Sequence, residues 1–358
     1  MKSIRIYCKN DGRYHDVPKG ATLEEVYETL DLNLPCCVTS CKVNNRVEGL
    51  HYTINDSRDL EYLTLASPSG LRTYTRSLFF VLYKAVRDLY PEAELRIGTP
   101  VAGGYFCRLA LPGGITPEVP ERLRRRMAEI VASDLPFRRV TAHTTDAIEV
   151  FRRQGFTRKV LLLESIGDLY THYYTLGDTV DYFYSALLLR TGQLTVFDLV
   201  PFGEGLLLRV PDSEHPERLR PMTEQHKMFA VFQEQHRRQE ILGCTTVGEL
   251  NTLIRDGRTN DLVNVAEALQ EKQIAQIADH IASHDALRVV LIAGPSSSGK
   301  TTFAKRLSVQ LMACGKKPVS ISLDNYFVDR TLTPLDETGD YDFEHIEALN
   351  LQLFNDQM

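Results

Sequence analysis

No run of apolar residues in this 358-residue chain approaches the roughly 18–20 needed to cross a bilayer, which excludes a membrane-spanning helix. The opening residues, MKSIRIYCKNDGRYHDV, lack the apolar stretch of a secretory signal. Cysteine is sparse and scattered: seven residues over this length do not make a disulfide framework, so a reducing cytoplasm is the expected setting. No low-complexity tract is present, and a net charge of −6 argues against a coat of nucleic acid over the whole surface. What remains is the composition of a folded chain, 43% hydrophobic and 25% charged, long enough for two or three domains. The charge is unevenly spread. Residues 71–160 hold 16 Lys and Arg against 9 Asp and Glu, a local excess of +7.

Residues 1–66 read as a small β-rich unit. Ile4, Ile6 and Cys8 alternate as in a half-buried strand, and Asn10-Asp11-Gly12 supplies a hairpin turn. The capping box Thr22-x-x-Glu25 opens a helix with Leu23, Val26 and Leu30 on one face, and strands fit Cys37–Val43 and Leu60–Leu65. The order ββαββ predicts a β-grasp. Pro68-Ser69-Gly70 reads as a linker. Beyond it, Leu78–Leu89 and the basic stretch Val119–Val131 read as helices, as does Asp146–Arg153 behind the capping candidates Thr144 and Thr145. Val160–Leu163 and Leu187–Leu189 read as buried strands, so 71–212 is assigned as an α/β domain. Residues 213–285 read as helical: Met228, Phe229, Phe232 and Ile241 can share a face, Thr246-x-x-Glu249 is a second capping box, and Leu262 to Ile281 carry the stripe of a long helix.

The motif with the most chemistry follows. Val289–Ala293 is a continuous apolar run, as in a strand buried on both faces of a parallel sheet. It leads into Gly294-Pro295-Ser296-Ser297-Ser298-Gly299-Lys300-Thr301, which fits G-x-x-x-x-G-K-[ST], followed by Thr302 and by Phe303, Leu307 and Leu311 at helical spacing. Glycines let backbone N–H groups curl around an anion, and the helix N-terminus adds partial positive charge. Lys300 would bridge the β- and γ-phosphates of ATP, and the Thr301 hydroxyl would ligate Mg²⁺. The alternating run Val319–Leu323 predicts a second strand ending at Asp324, beside the loop if the sheet is parallel. There Asp324 is either a general base and Mg²⁺-orienting group or simply turn chemistry after a strand.

These segments, IAGPSSSGKTTFAKRL at 292–307, SLDNYF at 322–327 and DYDFEH at 340–345, resemble the uridine kinase and phosphoribulokinase-like kinases. That resemblance implies an ATP- and Mg²⁺-dependent nucleoside kinase domain at 286–358. It also implies Asp324 as base and ribose contact, with nucleoside contacts by Phe327, Phe343 and Glu344. The family continues past its D-F-x-H segment, so only the beginning of such a domain is expected in this chain. The front half resembles the N-terminal part of threonyl-tRNA synthetase. Residues 1–66 are similar to its TGS domain. Arg96–Phe106, Asp146–Phe151 and Gly177–Asp181 are similar to segments of its editing domain. The editing domain's H-x-x-x-H and C-x-x-x-H ligands fall here on Thr73, Ser77, Phe183 and Leu187, so no editing chemistry is expected. The alternative to a kinase is an RNA- or tRNA-binding protein with an ATP-binding regulatory P-loop. The dense run Arg122, Arg124, Arg125 and Arg126, with Arg138, Arg139, Arg152 and Arg153 nearby in sequence, serves either as a solvated helix face or as an RNA contact. His280 with His284, and Cys36 with Cys37 and Cys41, are weaker metal candidates; a helix-dipole role and free thiols are the plainer readings.

Overall fold

The computed structural model describes residues 2–358 and shows a mixed α/β chain in two compact units, Met1–Arg258 and Thr259–Met358. The first unit opens with β1 (Ser3–Cys8) and β2 (Arg13–Pro18), antiparallel about the Asn10–Gly12 turn, where Gly12 has φ +70°. Asn10 also ties this turn to the strand that lies on the other side of β1. Its side chain donates to the Tyr62 carbonyl at 3.0 Å and accepts from the Tyr62 N–H at 2.7 Å. In α1 (Leu23–Thr29) the capping box is formed in both directions, Glu25 N–H to Thr22 Oγ1 and Thr22 N–H to Glu25 Oε2. Strands β3 (Val38–Val43), β4 (Arg46–Glu48) and β5 (Asp59–Thr64) complete a five-stranded sheet ordered β2-β1-β5-β3-β4, with only β1 and β5 parallel. Leu23 and Val26 are buried on it with Ile6, Cys8, Val17, Leu60 and Tyr62, each such aliphatic side chain contributing about 1.5–3 kcal/mol.

The expected linker is instead the first turn of α2 (Pro68–Leu89). Pro68 fits there because its missing N–H would be unpaired in a first turn anyway, and Ser67 Oγ caps the Gly70 N–H at 3.1 Å. The chain continues through β6 (Glu94–Val101), β7 (Gly104–Ala110), α3 (Glu118–Ala132), β8 (Arg138–His143) and α4 (Thr144–Arg153). The stretch read as a strand at 160–163 lies within α5 (Thr157–Ile166), which ends at Gly167 with φ +77°. Then come β9 (Tyr170–Leu176), β10 (Thr179–Asp181), β11 (Asp198–Phe202) and β12 (Gly205–Arg209). Residues 187–189 are not a strand, although Leu187 and Leu188 are buried. The strands form a four-stranded antiparallel sheet, β11-β12-β7-β6, and a three-stranded one, β10-β9-β8. Helices α6 (His226–Ile241) and α7 (Val247–Arg255) close the unit.

In the second unit α8 (Thr259–Ala282) packs against α9 (Lys300–Ala313) through Ile274, Ala278, Leu307 and Leu311. Three short 3₁₀ turns and α10 (Leu351–Gln357) follow. Among the described residues this unit contains no sheet. The expected strands 289–293 and 319–323 pair with nothing, and Leu291 and Val319 are 90% and 85% exposed.

Two consequences for stability can be measured. A Cβ at Gly70 would lie 2.0 Å from the Thr64 carbonyl oxygen and 2.8 Å from Thr39 Oγ1, so helix and sheet would have to separate. Gly70→Ala should cost about 1–3 kcal/mol in urea unfolding. His51 is largely buried, its Nε2 has no hydrogen-bond partner, and burial followed by the Arg139 charge holds it below the ordinary imidazole range. The folded chain therefore binds a proton there more weakly than the unfolded chain. Stability is undiminished above about pH 6.5 and falls as the pH drops below it. In His51→Gln that part of the fall should disappear from urea midpoints measured between pH 7.5 and 5.

Candidate nucleic-acid interface

Many of the arginines in 71–160 are ion-paired once folded, and others are not. On α3, Arg124 binds Glu121 at 2.8 Å, and Arg126 binds Glu129 at 2.8 Å and Asp88 at 2.9 Å. Arg122 lies over the Tyr90 ring, 5.4 Å from its centroid. Arg152 is held by Glu149 and Glu164, and Arg153 by Glu149. Arg125, Arg138 and Arg139 make no hydrogen bond or ion pair among the described residues. Unpaired charge is thus left at Arg125 on α3 and at Arg138 and Arg139 on β8, an edge strand.

Strand register decides what β8 shows. Arg139 pairs with Tyr174, Thr141 with His172, and His143 with Tyr170. The intervening residues Val140, Ala142 and Tyr173 pack with Phe151 and Leu163 beneath α4 and α5. Because side chains alternate, the other face carries arginine, threonine, two histidines and two tyrosines. Thr141 Oγ1 and His172 Nδ1 are 2.8 Å apart, and the His143 and Tyr170 rings lie 5.2 Å apart. Burial first, then Arg139 and Arg46, hold His172 below the ordinary imidazole range, against an opposing contribution from Glu48. None of these residues except Arg139 had drawn attention in the sequence. The available signal was the period-two pattern Tyr170-Thr-His172-Tyr-Tyr174 opposite Arg139-Val-Thr141-Ala-His143.

The positions corresponding to editing-domain ligands are occupied by packing groups. Thr73 Oγ1 donates to the Ser69 carbonyl at 3.2 Å, and Ser77 Oγ donates to the Thr73 carbonyl while accepting the Leu188 N–H at 2.9 Å. Leu187 is buried, and Phe183 lines a cleft of about 1260 Å³ with Tyr83, Arg96, Arg108, Lys159 and Asp181. Lys159 and Asp181 form an ion pair there. Among the described residues no group of three His, Cys, Asp or Glu side chains is placed to hold a metal. His280 and His284 stack at 4.4 Å, with His284 Nδ1 2.7 Å from the His280 carbonyl. Cys41 is buried, Cys36 partly so and Cys37 exposed; burial raises the Cys41 and Cys37 thiols.

In the second unit the P-loop turns through Ser297 (φ +58°) and Gly299 (φ +86°) into α9. Lys300 Nζ donates to the carbonyls of Gly294 at 2.8 Å and Pro295 at 3.0 Å, while Ser296, Thr301 and Thr302 stay exposed. Asp324 sits in an exposed 3₁₀ turn, and Ser322 Oγ donates to it at 3.4 Å. The shared sheet edge that would have set Asp324 against Gly294 does not exist, because neither strand forms. Phe327 bridges to Leu349, the Glu344 N–H donates to Asp342, and Phe343 and Tyr341 flank the Arg330 guanidinium.

No model of a known protein family matches the chain. Curated relatives similar to it include the threonine–tRNA ligase of Desulforamulus reducens, 28% identical over 250 residues, 67% of this chain and 39% of that protein. The threonine–tRNA ligase of Symbiobacterium thermophilum is 29% identical over 201 residues, 56% and 31% of the two chains. That of Rubrobacter xylanophilus is 30% identical over 199 residues, 56% and 30%. The chain spans about two-fifths or less of the length of these relatives. Their identity overturns the nucleoside kinase assignment, as does the absence of the two strands among the described residues. The roles of Asp324, Phe327, Phe343 and Glu344 towards a nucleoside rested on that assignment and fall with it. The likeness runs to proteins that work on tRNA.

Proposed function

We propose that this chain is an RNA-binding protein whose ligand is tRNA or a tRNA-like fold, with an ATP·Mg²⁺-responsive P-loop in its second unit. The observation that carries the reading is the similarity to threonine–tRNA ligases over as many as 250 residues. On this reading 1–66 is a TGS-like β-grasp domain, supported by the β2-β1-β5-β3-β4 order with α1 packed on it. Residues 71–212 are an editing-like domain without metal ligands, 213–285 a helical connector, and 286–358 the P-loop segment. Unneutralised Arg125, Arg138 and Arg139 supply phosphate contacts, which add affinity with little sequence preference.

The P-loop residues suit a polyphosphate. A Cβ at Gly294 would lie 2.8 Å from Ser298 Oγ, so a larger residue there would require the Ser298 side chain to move. The fourteen residues of α9 direct the positive end of their dipole at the loop. The backbone N–H groups from Gly294 to Gly299, Pro295 excepted, would hold phosphate with Lys300 and Thr302, and the Thr301 hydroxyl would ligate Mg²⁺. Bound ATP would bring a polyanion that neutralises Lys300, and Lys300 would exchange its two carbonyl partners for phosphate oxygens.

Fluorescence anisotropy with labelled tRNA should give an affinity that falls steeply with salt, and Arg138→Ala should reduce the log–log slope by about 1. An absence of tRNA binding, or binding indifferent to salt, contradicts the proposal. Calorimetric titration with ATP and Mg²⁺ should show binding weakened at least about tenfold by Lys300→Ala. Because Lys300 is exposed, the unfolding midpoint should not move.

A further inference from the structure

We propose that the open face of the β10-β9-β8 sheet, with the cavity beside it, binds an unpaired segment of an RNA strand, stacking its bases on Tyr170 and Tyr184 and placing a phosphate on Arg139. This deepens the RNA-binding reading and rests on it, but it assigns a surface and a nucleic-acid conformation that the reading leaves open. The cavity holds about 400 Å³, and Arg46, Arg139, His172, Tyr170, Tyr182 and Tyr184 are among its lining. That volume lies within the range that suits a single small ligand group.

Three independent observations converge. The first is charge. Arg139 has no partner among the described residues, and Arg46 reaches the same cavity from β4 while paired to Glu48 at 3.1 Å. Glu48 and Asp168 are the acids of the lining, and Arg139 and Arg46 line the same cavity. The second is exposed aromatic surface. Tyr184 is 76% and Tyr170 57% exposed, with Leu169 and Ile166 exposed beside Tyr170 in sequence. A rim of rings beside an unpaired guanidinium costs apolar hydration unless something stacks on it. The third is layout. The face runs from Arg139 to His143, four residue steps or about 14 Å along the strand, and a sheet face of this kind accommodates two or three splayed bases. A helical duplex keeps its bases stacked inside and can offer these tyrosines only sugar and phosphate. The match is therefore to single-stranded RNA, where each base adds stacking and each phosphate adds charge.

The test uses the whole chain, a fluorescein-labelled ten-nucleotide oligo(A) RNA, a blunt RNA duplex of sixteen base pairs, and AMP as competitor. Tyr184→Ala and Arg139→Gln remove groups without buried partners, and matching thermal midpoints establish that both variants fold. The expected result is at least about a tenfold loss of oligo(A) affinity in each, with duplex affinity changed less than about twofold in Tyr184→Ala. Tight tRNA binding with oligo(A) affinity unchanged in both variants overturns this inference and leaves the RNA-binding reading standing. AMP competing as well as the oligonucleotide overturns the strand and points to a free nucleotide. A wild-type chain that binds neither tRNA nor oligo(A) overturns both.

Discussion

Helix α2 has almost no solvent side over its middle turns. Tyr74, Thr75, Ser77, Leu78, Phe80, Val81, Leu82, Lys84, Ala85 and Val86 are all buried, and the helix packs against α3, β3, β5, β6, β9 and β10. A helix buried all round must satisfy every polar side chain it carries within the fold. Burial alone would drive the Lys84 ammonium towards its neutral form. Bonds to Asp178 at 2.8 Å and Asp88 at 3.1 Å outweigh that and keep it charged above its ordinary range. Losing both pairs would leave the Lys84 charge stranded beside the core, a larger penalty than the pairs' own net contribution.

The same helix explains a buried stretch that forms no ladder. The Leu188 N–H donates to Ser77 Oγ, Arg76 donates to the Ala186 carbonyl, and the Tyr74 hydroxyl both donates to the Val196 carbonyl and accepts the Val196 N–H. Residues 183–196 therefore meet part of their backbone hydrogen-bonding requirement with side chains of α2. Apolar content alone made Leu187–Leu189 look like a strand, because nothing local shows which partners its amides will have. At Ser77 the hydroxyl ties helix to loop, accepting the Leu188 N–H while donating to the Thr73 carbonyl.

Legibility followed how local the deciding interaction is. The hairpin at Asn10–Gly12, the capping boxes at Thr22 and Thr246, and the alternation of β1 each act within a few residues, and all are found where the sequence places them. Val160–Leu163 failed because a four-residue apolar run suits a strand or a helix equally, and only Gly167 in the left-handed region shows where that helix ends. The P-loop was legible as a turn opening a helix. The strands on either side were not, since a strand exists only when a neighbour completes its hydrogen bonds.

Charge was the least legible property, for a related reason. Counting residues over 71–160 weights every arginine equally, whereas the field outside the protein depends on which ones keep a carboxylate within about 4 Å. Glu121, Glu129, Asp88 and Glu149 pair with most of the α3 and α4 run, and one of those pairings, Arg126 with Asp88, joins residues on different helices. Arg139 escapes because register sets it opposite Tyr174, a ring in place of an acid. A cation whose nearest strand partner is an aromatic ring can neutralise a phosphate without first breaking an ion pair. That sets Arg139, together with Arg125 and Arg138, apart from Arg124, Arg126, Arg152 and Arg153, whose binding contribution is offset by the ion pairs they must give up.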